Sequence, residues 1–177
     1  WGQYYEAPGD LSTSVECYFA LQLAGHSPDS EPLRKAREFI LSKGGMPKVR
    51  IFTKIWLALF GQWDWKGTPK MPPEMIFLPS WAPFNIYEFA SWARATVVPM
   101  LIILTRQPYC PVPESANIDE LYPNGREGTD YTLPKPTGGF GWAKGLYWSD
   151  KLVGLYQKLP VHPLRGRAEQ KIMRWVL

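Results

Sequence analysis

Three times in its first 61 residues the chain runs a helical period of apolar side chains into a glycine. No other feature limits the fold as much. Over residues 11–24, Leu11, Val15, Tyr18 and Gln22 share one line, with Phe19 and Leu23 beside it; this is a helical period. Asp10, or Ser12 just after it, can cap the start, and Gly25 supplies the stop. After the turn 26–30 a second period runs through Leu33, Ala36, Arg37, Ile40 and Leu41, with Pro32 near its first turn and Gly44-Gly45 at its end. A third spans 49–60, with Phe52, Ile55, Trp56 and Leu59 on one face and Gly61 beyond. The short turns make successive helices antiparallel neighbours, and no segment alternates with period two between hairpin turns. The expected fold is an all-α domain over 1–177, built from stacked helix hairpins.

The second half is punctuated differently. Five prolines (Pro69, Pro72, Pro73, Pro79 and Pro83) exclude a regular helix over 68–83 and favour extended loop. Asn85 can cap a fourth helix over 86–106, with Pro99 in its interior removing a backbone donor and kinking it. Residues 108–113 close that helix, 117–121 form one helical turn, and 125–145 read as Gly/Pro-rich loop. Short helices near 146–156 and over 165–177 complete the chain.

Composition narrows the chemistry. Net charge is +4, too mild to argue for or against nucleic acid, and no nucleic-acid partner is expected. Cys17 and Cys110 lie far apart without a C-x-x-C, and His26 and His162 form no H-x-x-x-H. A disulfide framework and a metal site are therefore not expected, nor is a cofactor. The longest charge-free apolar run, residues 95–105, is far shorter than the ~20 residues of a spanning helix. No secretory leader is read at Trp1. The unusual feature is nine tryptophans, more than packing a domain of this size requires.

Both ends read as cut within an array of helical repeats, because residues 165–177 form an amphipathic segment without a terminal cap. The stretch from Asp10 to Gly25, Phe52-Thr-Lys-Ile-Trp-Leu-Ala-Leu-Phe-Gly61, Asn85-Ile-Tyr-Glu-Phe-Ala-Ser-Trp-Ala-Arg-Ala-Thr-Val-Val98 and Tyr156-Gln-Lys-Leu-Pro-Val-His-Pro163 are long, ordered motifs covering nearly the whole chain. In them the chain resembles the prokaryotic squalene-hopene cyclases, members of the class II triterpene cyclases. Trp1-Gly2 resembles the end of one of that family's Q…G-x-W repeats. The resemblance implies the smaller, non-protonating α/α barrel (toroid) of a two-barrel enzyme. The proton donor of the family lies in an Asp-x-Asp-Asp motif on the other barrel. Here the nearest acidic patterns, Asp119-Glu120 and Glu127 with Asp130, do not fit it. The chain alone is therefore expected to cyclise nothing.

Polyene cyclisation needs a hydrocarbon held in a ring-forming shape, water excluded and carbocations stabilised without a nucleophile. Aromatic faces meet all three demands, each contributing roughly 0.5–2 kcal/mol to a nearby cation. By resemblance, Trp92, Phe52 and Trp56 line the cavity, Phe89 and Val97 sit near the entrance of the substrate channel, and Arg50 belongs to a polar group at the far end. The residues alone leave other roles open. Trp92, Phe89 and Val97 could be core, Phe52 and Trp56 could be an ordinary interhelical packing pair, and Trp1, Trp142 and Trp175 fit stacking between repeats. Trp63, Trp65 and Trp81 flank the proline-rich loop without an assigned role, and the basic faces Arg34-Lys35-Arg37 and Arg165-Arg167-Lys171-Arg174 read most simply as solvated. The implied partners are squalene, the remaining barrel, a membrane surface and a second copy of the full enzyme. The implied location is the cytoplasmic face of the bacterial inner membrane, peripheral or monotopic. Two other classes fit the composition: a non-catalytic isoprenoid-binding α/α module and a helical-repeat interaction module.

Overall fold

The computed structural model describes residues 1–82, 85–132, 153–156 and 162–177. Trp142, the expected loop beyond residue 132 and the start of the helix expected from 146 lie outside these. The described residues are helical, with no strand among them. They belong to two compact units: Trp1–Thr68 with Tyr109–Thr132, and Pro69–Pro108 with the described part of 133–177.

In the first unit, α1 (Leu11–Leu23), α2 (Glu31–Ser42) and α3 (Ile51–Leu59) occupy the three periods. Each ends in the same way. The amides of Gly25 and His26 reach back to the carbonyls of Gln22 and Leu21, those of Gly44 and Gly45 to Leu41 and Ile40, and those of Gly61 and Gln62 to Ala58 and Leu57. These are Schellman closures, and they need a left-handed residue at the first position after the cap. Gly25, Gly44 and Gly61 provide it with φ of 89°, 94° and 68°. The core joins Val15, Tyr18 and Phe19 of α1, Leu33, Ala36 and Ile40 of α2, and Leu57 and Ala58 of α3 to Ile118, Leu121 and Tyr122 from single turns downstream.

Asp10 caps α1, accepting from the Thr13 amide and hydroxyl, each at 2.8 Å. The Thr13 bonds chiefly, then Gln3 and the Arg50 guanidinium, hold its carboxyl below the ordinary value near 3.8, against a smaller opposing effect of burial. A depressed carboxyl stabilises the fold in full above its unfolded-state pKa and loses that contribution as pH falls through the folded value. Asp10→Ala should cost about 1 kcal/mol near pH 7, and Asp10→Asn much less. In thermal melts the gap between wild type and Asp10→Ala should be flat from about pH 7 to 5 and shrink below about pH 4. A gap that persists undiminished into strong acid would contradict this account of the cap.

α3 corrects one expectation. Its packed face is Thr53, Ile55, Leu57 and Ala58, not Phe52, Ile55, Trp56 and Leu59. Ile55 is common to both, but Phe52 and Trp56 are 48% and 43% exposed. The helix is apolar almost all the way round, so its period does not select a side. The packing of Leu57 and Ala58 into the first core does, and on the same side the Thr53 hydroxyl donates to Glu16 Oε1 of α1 at 2.6 Å. Trp63 is buried instead, stacked 6.1 Å from Tyr122 and edge-on to Tyr131 at 4.8 Å. Lys54 Nζ lies 4.7 Å over its indole; burial, and after it the charge of Lys48, lowers the pKa of that amine.

The second unit has its own core of Ile76, Ile86, Val98, Leu101, Ala168 and Ile172. As expected, the proline-rich stretch forms no α-helix; Pro73–Phe77 is a 3-10 turn. The fourth helix, α4, begins later than its sequence indicates, at Ser91, and runs through Pro99 to Arg106. Asn85 caps only the 3-10 turn Ile86–Glu88, and Phe89 and Ala90 are extended, with ψ of 140° and 151°. The last helix, α5 (Arg165–Val176), is not simply a solvated basic face. Arg165 Nε is 3.3 Å from Glu74, Lys171 donates to the Ile76 carbonyl at 3.2 Å, and Arg106 of α4 pairs with Glu169. By contrast, on α2 Arg34 and Lys35 carry only exposed pairs with Glu38 and Glu31.

Candidate functional site

Three of the six site residues fall in the first unit. Phe52 and Trp56 are one turn apart on α3 and share a face. That face carries two large rings and is not used by the unit's core, so the rings are available to something apolar. Arg50 is the residue before α3, and its amide donates to Ser12 Oγ at 2.9 Å. Its guanidinium is 3.2 Å from Asp10 and 3.4 Å from the Thr13 hydroxyl. The cation is thus held by the α1 cap, two positions before Phe52.

The other three lie in the second unit. Trp92, in the first turn of α4, is 77% exposed and belongs to neither core of this chain. Val97 is half-buried beside the fully buried Val98. Phe89 is also half-buried, but it precedes α4 instead of sharing its helix with Trp92 and Val97. Its backbone is held by a residue the sequence did not single out. Arg94 Nη2 donates to the carbonyls of Tyr87 and Phe89 at 3.3 and 3.2 Å, and its guanidinium carbon is 5.9 Å from the Tyr87 ring centre. In a helix continuous from residue 86 those carbonyls would accept from the amides of residues 91 and 93. Here Arg94 Nη2 takes them instead.

The polar hub of the first unit also escaped the sequence. Arg126 pairs with Asp119 and donates to the Gly61 carbonyl at 2.7 Å, Gln62 Oε1 at 3.0 Å and Asn117 Oδ1 at 3.1 Å. Its partners lie as many as 65 residues away, beyond any local pattern. A concavity of about 500 Å³ beside it is lined by Trp63, Asp64, Lys66, Arg126 and Glu127 among others. Such mixed charge suits neither a hydrocarbon nor a carbocation. None of the six site residues lines it.

Residues 1–177 match a family described as squalene-hopene cyclase N-terminal domain. A squalene–hopene cyclase of Alicyclobacillus acidocaldarius is 45% identical, aligned over all of this chain and 27% of its own length. A dammaradiene synthase of Dryopteris crassirhizoma and a squalene hopane cyclase of Aspergillus fumigatus are each 38% identical, again over the whole chain and over 26% and 24% of their own lengths. The chain therefore spans about a quarter of the length of these curated relatives.

Proposed function

This chain belongs to the squalene-hopene cyclase family, and we propose that it supplies aromatic wall and substrate channel to a cyclase that converts squalene to a hopene-type product through a carbocation cascade. The observation that carries this reading is the outward display of Phe52, Trp56 and Trp92, three large rings that neither core uses. Adjacent exposed rings such as Phe52 and Trp56 form the kind of apolar patch that marks an interaction surface. They are useful where a polyene must be wrapped, water excluded and positive charge stabilised without a lone pair to capture it.

In the proposed reaction a carboxylic acid elsewhere in the enzyme protonates the terminal double bond of squalene. The resulting cation is attacked by the next double bond, and positive charge advances ring by ring until a proton is lost or water adds. Residues of this chain bind and orient: the α3 rings and Trp92 face the hydrocarbon, Phe89 and Val97 border its entry, and Arg50, neutralised by Asp10, closes a polar end. In the complete enzyme the chain forms the non-protonating α/α barrel. Its partners are the other barrel, squalene, a second copy and a membrane surface. The proposed place is the cytoplasmic face of the bacterial inner membrane, held peripherally. No helix among the described residues is long and apolar enough to cross a bilayer.

The test is division of labour. A full-length protein that joins these residues to an Asp-x-Asp-Asp segment should convert squalene to cyclic triterpene, and residues 1–177 alone should give none by gas chromatography. Turnover by the 177 residues alone, or none by the full-length protein in detergent, overturns the proposal.

A further inference from the structure

We propose that Arg94 is a positioning residue that sets the path of residues 86–92, and through it the placement of Phe89 and Trp92. The start of α4 has little else to hold it. Its N-cap is Ala90, which has no side chain to accept from the first amides, and its first turn contains no acidic residue. An arginine four residues into a helix is opposed by the macrodipole, which favours anions at that end. Its presence therefore calls for a compensating role, and the geometry provides one. The two hydrogens of Nη2 match the two carbonyls of Tyr87 and Phe89, and the guanidinium lies over the Tyr87 ring. Nε of Arg94 is buried with no hydrogen-bond partner among the described residues, a cost that the two Nη2 bonds must outweigh for the side chain to hold this position.

Asn85 grips the same segment from the other side. It is fully buried, and Oδ1 accepts from the Tyr87 and Glu88 amides at 2.9 and 3.2 Å. Its Nδ2 donates to the carbonyls of Ser80 and Ala82 at 3.0 and 2.7 Å. Asn85 takes the amides of the segment and Arg94 its carbonyls. Between them the backbone around Phe89 is fixed by two side chains instead of by a helix. Without Arg94, the carbonyls of Tyr87 and Phe89 are free to rejoin a helix that extends back towards Ile86. Phe89 would then turn with it, and Trp92 would move from the first turn of α4 into its interior.

The kinetic part of this proposal rests on the cyclase reading, and the structural part does not, so both are measured on the full-length protein. In Arg94→Met, amide hydrogen exchange over residues 86–92 should change at least tenfold while residues 98–104 remain as in wild type. The KM for squalene should rise severalfold because entry past Phe89 is disturbed, and kcat should fall as well because Trp92 is displaced with the segment. Arg94→Lys keeps the charge but not the fork, so it should be intermediate in both measurements; it also serves if Arg94→Met does not fold. Unchanged exchange over 86–92, or changed exchange with wild-type KM, overturns the proposal. If wild type itself converts no squalene, the cyclase reading fails while the exchange measurement still decides the grip of Arg94.

Discussion

Replacing Gly45 by alanine is expected to remove a large part of the stability of the first unit, whereas the same change at Gly25 should be tolerated. Both have positive φ, 67° and 89°. Gly25 has open space where a Cβ would stand, so its cost is the left-handed conformation alone, about 1–2 kcal/mol. At Gly45 φ of 67° is combined with ψ of −157°, a region that only glycine occupies readily. A Cβ there would meet the Leu121 carbonyl oxygen at 2.5 Å and Pro123 Cδ at 2.6 Å. The first is backbone of a fully buried residue and cannot swing aside. Conformational strain and overpacking together come to on the order of 3–5 kcal/mol, against a typical total of about 5–15 kcal/mol. Urea unfolding of the two variants checks this: the midpoint for Gly45→Ala should fall well below that for Gly25→Ala. Equal midpoints would mean that the end of α2 does not dock as closely on the 121–123 segment as the geometry requires.

That contrast also shows what could be read from the sequence. The stops at Gly25, Gly44 and Gly61 were legible because a Schellman closure is local, needing only a helix and a left-handed residue after it. The close approach of Leu121 and Pro123 to Gly45 joins positions more than seventy residues apart, so no period encodes it. The same division explains α3 and α4. Apolar residues surround α3, and its buried side is the one whose Leu57 and Ala58 pack on distant elements of the first core. Asn85 was read correctly as a cap, but the 3-10 turn that follows it in place of a long helix was not, and there Arg94 reaches back for two carbonyls. Of the unassigned tryptophans, Trp63 became core through tyrosines at 122 and 131, while Trp81 is exposed. The six site residues came from resemblance alone, since spacing does not distinguish a ring that packs on protein from one that packs on substrate.

In the full-length enzyme Trp92→Leu should slow squalene conversion by roughly 10- to 30-fold while leaving the melting temperature within about a degree of wild type. A desolvated indole face contributes about 2 kcal/mol to a cation above it, and 2 kcal/mol lost from the transition state alone is about 30-fold in rate. Leucine keeps the site apolar and of similar reach, so what is lost is chiefly the ring. Trp92→Phe, which retains a weaker aromatic face, should recover most of the rate. Trp63→Leu is the necessary contrast. That indole is 3% exposed and packed against two tyrosines, so its truncation should cost roughly 2–4 kcal/mol of stability. Rate and product distribution, followed by gas chromatography alongside melting curves, separate the cases. Lost rate at unchanged stability assigns Trp92 to the substrate, because a side chain 77% exposed has little core packing to lose. If rate and stability fall together, the ring is packed against protein in the complete enzyme, and stabilisation of the cation must be sought in other side chains.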